Sequence, residues 1–327
     1  MKKLFCQIIF LFLITQLQAQ SYKGVTGEVD SSYTTVKAYL STIKTHPQAE
    51  IVYQFFSDSL KENRRLPYCV IPGRRLEMDM FSPEKPLSPL SPALIIVHGG
   101  GWRSGNRTQH YPLAQRLALM GYTCFTPEYR LSTEELYPAA VHDIKAAIRW
   151  VKANAAALKV DTNKVAVIGF SAGGELAAFM GATNGMSRFE KLNCNKEFSS
   201  LVQAVVDIDG TLSFIHPESS EGDDSKSTSA ATYWFGYAKA ENPALWKDAS
   251  PLTHVGKHSP PILFLNSSVA SMHAGREDFI MQLKKYGIYS EVHQFDNSPH
   301  SFCLFEPWFT PTVGYIDSFL KKVFNNK

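Results

Sequence analysis

Short apolar runs alternate with stretches of helical periodicity along most of this chain, and that alternation constrains the fold more than any other feature. The runs are "ALIIVHGGGW", "TCFTPEYRL", "KVAVIGF", "LVQAVVDIDG", "PPILFLNSS" and "YSEVHQF". Between and after them lie "QHYPLAQRLALMGY", "PAAVHDIKAAIRWVKANAAAL", "AGGELAAFMGA", "REDFIMQLKKYG" and "PTVGYIDSFLKKVF". Apolar runs without period-2 alternation suit strands buried on both faces. Strands alternating with helices predict an α/β fold: a mostly parallel, twisted sheet with helices on both faces. "LPYCVIP" and "RRLEMDMFSP" alternate apolar and polar residues and predict a hairpin ahead of it.

Two intervals break the rhythm. Residues 211–250 separate two predicted strands without a clear element, which predicts an inserted lid on the sheet's C-terminal edge. Residues 20–66 are mixed, with helical patterning in "TTVKAYLSTI" and "AEIVYQFFSDSL", and predict an N-terminal arm ahead of a domain at 67–327. The first 19 residues carry Lys2 and Lys3, then an apolar run, then "LQAQ". That order predicts a signal peptide and export to the periplasm or beyond; the apolar run is short for a membrane span.

Without those two lysines the formal charge of +3 falls to +1, which offers nothing to nucleic acid. Cys69, Cys124, Cys194 and Cys303 then remain; their spacing matches no zinc pattern, and their pairing cannot be read from sequence. No histidine pair such as H-E-x-x-H is present, so neither metal nor cofactor is expected.

The chemistry concentrates at two glycine clusters. Gly169-Phe170-Ser171-Ala172-Gly173 fits G-x-S-x-G between a predicted strand and a predicted helix. That context holds a serine on a sharp turn, with the free N–H groups of a helix start beside it. His98-Gly99-Gly100-Gly101-Trp102 directly follows another apolar strand, where glycines let backbone N–H groups approach a substrate oxygen. Either cluster alone is a small-residue turn; the two together, in this order, point to a serine nucleophile.

"HGGGW", "EYRL", "YPAAVHDIKAAIRWVKAN" and "VDTNKVAVIGFSAGGELAA" resemble the α/β-hydrolase esterases related to hormone-sensitive lipase, continuously over about residues 65–185 and more loosely beyond. The resemblance implies the α/β-hydrolase fold, Ser171 as nucleophile, and the N–H groups of Gly100, Gly101 and Ala172 as an oxyanion hole. It also implies a histidine in the loop after the last strand, which is His300 in "DNSPHSF". The chain departs from the family at the triad acid. The usual position falls near Ala270 in "NSSVASMHAGRED", where no carboxylate stands. Asp209, in "VVDIDGT", is the first alternative; Asp278, beside Glu277, is the second.

The tail and the stretches "DIDGTLSFIHPE" and "ATYWFG" are similar to gut-bacterial α/β-hydrolases that act on pectin. That resemblance implies a plant cell-wall oligosaccharide ester as substrate: galacturonate methyl ester first, with acetyl or feruloyl esters of pectin or xylan as the alternative. Trp102 and Trp234 are then expected to stack on sugar rings, and Arg276 to meet a carboxylate, with Arg103, Arg107 and Arg130 also near the motifs. Structural ion pairing accounts for the arginines equally well. A peptidase and a non-catalytic binding protein of the same fold are the competing classes, the second favoured only by the missing acid.

Overall fold

A computed structural model describes residues 24–325; the expected signal peptide lies outside the described residues. In chain order the first elements are α1 (Thr35–Thr42), β1 (Glu50–Ile51), β2 (Leu60–Ile71), β3 (Arg74–Pro83), β4 (Ser91–Val97), α2 (Tyr111–Leu119) and β5 (Thr123–Pro127). They are followed by α3 (Ala139–Ala153), α4 (Ala155–Leu158), β6 (Val160–Phe170), α5 (Ala172–Ala182) and β7 (Ala204–Ile208). The chain closes with α6 (Ala230–Phe235), α7 (Pro243–Asp248), β8 (Ile262–Asn266), α8 (Arg276–Lys285), β9 (Ser290–Gln294), β10 (Phe305–Glu306) and α9 (Phe309–Asn325).

Eight strands form one sheet in the order β2-β3-β5-β4-β6-β7-β8-β9. The β2–β3 and β3–β5 pairs are antiparallel; every later pair is parallel, as the alternation predicted. Because side chains alternate across a strand, each central strand feeds two cores. Ile95 and Val97 of β4, and Val165 and Val167 of β6, pack with α3 and α5. Leu94 and Ile96, with Ala166 and Ile168, face the other way toward α2 and α9. The sheet is thus covered on both sides, and its parallel strands all point their C-terminal ends at one edge.

Two expectations for the N-terminal region are corrected. The sheet begins at Leu60, before the expected boundary at residue 66, because β2 pairs with β3 as far back as Leu60↔Pro83. "AEIVYQFFSDSL" is not helical. Its Glu50 and Ile51 pair with Glu306 and Phe305, while Phe56 is 97% exposed, so no face of the stretch is buried as a helix face would be. The arm does reach the sheet's C-terminal edge: Asp30 forms a bridge with Ser104 and an ion pair with Arg103 at 2.7 Å.

Segment 211–250 carries α6 and α7, and α6 begins against the glycine loop, with Ala230 beside Gly101. Cys69 in β2 is disulfide-bonded to Cys194 in the connection after α5, whereas Cys124 and Cys303 are buried thiols. Among the described residues no helix is long and apolar enough to cross a membrane, and no group of three or more His, Cys, Asp or Glu is placed to hold a metal ion.

Candidate active site

Strand β6 ends at Phe170 and α5 starts at Ala172, so Ser171 alone makes the turn. It does so at φ 56°, ψ −120°, a region costly for a side-chain-bearing residue and held by its surroundings. Its N–H donates to the Ile208 carbonyl at 2.8 Å, and its carbonyl accepts from Glu175 N–H at 3.0 Å. The flanking glycines are steric necessities: a Cβ on Gly169 would overlap the carbonyl of Gly173.

The serine hydroxyl is aligned with a histidine and an acid. Ser171 Oγ lies 2.9 Å from His300 Nε2, and His300 Nδ1 lies 3.0 Å from Asp209 Oδ2. His300 comes from the loop after β9 and its ring leans on Phe170, 5.0 Å between centroids. Asp209 stands one residue past β7, at φ 52°, with its side chain fully buried.

The end of β8, where the resembled family keeps its acid, instead donates to this one. Ser267 N–H reaches Asp209 Oδ1 at 2.8 Å, and Asn266 Nδ2 approaches the same oxygen at 3.4 Å. These donors and His300 thus partner both oxygens of the buried Asp209 side chain. Arg276 backs this arrangement, donating from Nη1 to Asn266 Oδ1 at 2.8 Å and from Nε and Nη2 to Glu277 Oε1 at 2.9 and 2.7 Å. Neither Asn266 nor Ser267 was legible as a site residue; the only signal was the absence of a carboxylate in "NSSVASM".

Asp278 is not part of this arrangement. It sits in the first turn of α8, half exposed, with Oδ2 3.5 Å from His216 Nε2 in segment 211–250, and so faces that segment rather than His300.

Across the serine, the loop after β4 is wound tightly. Gly100 has φ +124°, and a Cβ there would overlap the Ser104 carbonyl. Ser104 N–H and Oγ–H both donate to the Gly100 carbonyl at 2.9 Å. Gly99 N–H donates to Gln109 Oε1 at 2.8 Å. His98 stacks on Tyr129 at 4.4 Å and donates from Nδ1 to the Gly99 carbonyl; burial lowers its pKa to about 4, so it stays neutral. With those bonds in place, the N–H groups of Gly100, Gly101 and Ala172 make no hydrogen bond to other described residues.

The two tryptophans expected to stack on substrate do not line the surface. Trp102 is 3% exposed and Trp234 is fully buried; their rings stack on each other at 4.7 Å and 3°. Phe214 meets both edge-on, so the pair is core beneath the site, and packing rather than sugar contact explains it. Arg103, Arg107 and Arg130 are committed to Asp30, to Asp79 and Glu128, and to Asp143 and Glu135.

Glu175 is a further residue of the site, legible in the sequence only as a lone acid in the apolar helix "AGGELAAF". It is fully buried, and its Oε2 accepts the indole N–H of Trp102 at 2.9 Å. Burial raises its pKa well above the usual carboxylate range, as it does for Asp207 nearby.

A hydroxyl, a ring nitrogen and a buried carboxylate in one hydrogen-bonded line, facing unpaired N–H groups, is the constellation of nucleophilic acyl transfer. The relatives agree in kind. The esterase LipC of Mycobacterium tuberculosis is 31% identical over 63% of this chain and 50% of its own length. The probable carboxylic ester hydrolase LipM of the same organism is 30% identical over 68% and 54%. The chain therefore spans about half the length of these curated relatives. A solved truncated carbohydrate esterase from gut microbiota superposes with TM-score 0.67, covering 82% of this chain and all of that one, at 22% identity, which establishes the shared fold. The family model described as BD-FAE matches residues 78–271, from within β3 through the nucleophile and the acid to the turn after β8, and this chain belongs to the BD-FAE family.

Proposed function

We propose that this protein is a serine carboxylic-ester hydrolase acting on carbohydrate esters. The observation that carries the reading is the Ser171–His300–Asp209 line, with spacings of 2.9 and 3.0 Å. In this mechanism His300 Nε2 takes the hydroxyl proton as Ser171 Oγ attacks the ester carbonyl. The carbonyl oxygen becomes an oxyanion held by the N–H groups of Gly100, Gly101 and Ala172. The tetrahedral centre collapses, the alcohol leaves with the proton from His300, and an acyl-Ser171 ester remains. Water repeats the sequence and releases the acid. Asp209 fixes the tautomer of His300 and stabilises its charged form without taking the proton itself. Removing one oxyanion donor typically costs about 2.7–4 kcal/mol of barrier, so three converging N–H groups are a major part of the rate.

The carbohydrate part of the reading is supported by the fold shared with a carbohydrate esterase and by the likeness of the tail to pectin-active hydrolases. Within it, demethylation of galacturonate comes first and deacetylation second, and the expected signal peptide would deliver the enzyme to such glycans outside the cytoplasm. Buried Trp102 and Trp234 lend this no support, so the substrate rests on likeness alone. Methylated and acetylated pectic oligosaccharides, incubated with the protein and read by mass spectrometry, test it. Loss of about 14 mass units marks demethylation and about 42 deacetylation, both by the same acyl-transfer route. Unchanged pectic fragments beside cleaved xylan acetates or feruloyl esters would retire the pectic substrate and leave the hydrolase.

A further inference from the structure

We infer that Trp102 and Glu175 form a positioning pair that holds the two halves of the oxyanion hole at a fixed separation; the inference rests on the hydrolase reading above. The halves belong to different elements. Gly100 and Gly101 lie in the loop after β4, and Ala172 opens α5 after β6. The β4–β6 ladder ends at Val97↔Gly169, short of both. Beyond that point the loop and the helix need another tie.

The indole of Trp102, one residue past Gly101, provides it. Its Nε1–H donates to Oε2 of Glu175 at 2.9 Å, and Glu175 lies one turn along α5, with its own N–H bonded to the Ser171 carbonyl. One side-chain hydrogen bond thus connects the glycine loop to the helix that begins beside the nucleophile. Both partners are buried, so water does not compete for it.

Trp102 adopts φ 55°, which a bulky residue rarely does, and persists only because the surroundings over-determine it. Three contacts do so: the stack on Trp234, the bond to Glu175, and the Trp102 carbonyl accepting Ser132 N–H at 2.7 Å. Glu175 has no second use among the described residues, since its Oε1 has no partner. A charged carboxylate there would be expensive, and burial holds it neutral, so a glutamine amide is its near-isostere.

The test compares Trp102→Phe, which keeps a stacking ring but removes the donor, with Glu175→Gln, which keeps an acceptor, and Glu175→Leu, which does not. Ester turnover and the rate at which a fluorophosphonate labels Ser171 are both measured. Trp102→Phe and Glu175→Leu are expected to lower kcat about 10- to 100-fold with KM within about twofold, and to slow labelling in step, because small misplacement of oxyanion donors costs the transition state. Glu175→Gln is expected to stay within about threefold of the parent. Trp102→Phe with parental kcat, a loss confined to KM, or Glu175→Gln as poor as Glu175→Leu would each overturn the pair. If Glu175→Leu does not fold, Trp102→Phe and Glu175→Gln decide the matter by themselves. A parent protein that neither turns over esters nor takes the label would instead bring down the hydrolase reading, and the pair with it.

Discussion

His300 divides its two ring nitrogens between Ser171 and Asp209, and loss of the two partners has different consequences. Ser171→Ala removes the nucleophile and should reduce hydrolysis of p-nitrophenyl acetate to the background rate. Asp209→Asn keeps the shape but presents the wrong hydrogen-bonding partner to Nδ1, and should lower kcat by about 10⁴-fold. Asp278→Asn, at a half-exposed position beside His216, should change it by less than about twofold. Steady-state kinetics separates these outcomes, and equal losses at the two aspartates would remove Asp209 from its role. Asp209 was one of two acids that the sequence left open. The choice depends on a distance between loops after different strands, and no local pattern encodes that. The glycines were legible because each excludes a Cβ locally, at Gly169 and Gly100 alike. Trp102 misled for the converse reason: a tryptophan beside glycines does not reveal whether its ring faces solvent or core.

At the level of elements, the ends of β7 and β8 exchange duties relative to the resembled family. The carboxylate stands after β7, and β8 ends in the groups that bind it. The order of strands was readable from apolar runs, whereas this exchange was visible only as a gap in an expected motif. Segment 211–250 was readable as an interruption, but its two short helices were not, since six-residue elements offer too few turns for periodicity to register. The disulfide is a further element-level device. It ties β2 to the connection after α5 across a sequence separation of 125 residues. In the chain-entropy account, closing so long a loop stabilises by several kcal/mol, and loss of a native disulfide typically costs about 2–5 kcal/mol. Cys194→Ser should therefore lower the Tm measurably, with no further fall on adding reductant, while the parent falls to match it when reduced. An unchanged Tm in both would contradict this.

For the molecule as a whole, buried titrating groups set opposing pH trends in stability. Burial lowers His98 to about 4 and His110 to about 3. The unfolded chain protonates these histidines below about pH 6.5, so it binds more protons than the folded one. Their contribution is therefore complete above about pH 6.5 and is lost as pH falls from there toward 4, at about 1.4 kcal/mol per pH unit for each. Glu175 and Asp207 act in the opposite sense: held neutral in the fold, they ionise on unfolding, and stability declines as pH rises above the ordinary carboxylate range. Denaturant unfolding across pH should show His110→Phe flattening the acid limb by one proton and Glu175→Gln flattening the other; unchanged slopes would refute both assignments. The central claim, that this fold presents Ser171 as an acylating nucleophile, has a more direct test. The protein is mixed with p-nitrophenyl acetate, quenched in acid within the first turnover, digested and mapped by mass spectrometry. The account predicts an acetyl group on Ser171 in the parent and none in Ser171→Ala, which also releases no nitrophenol above background. Acetyl found on another residue, or release that persists in Ser171→Ala, would contradict it.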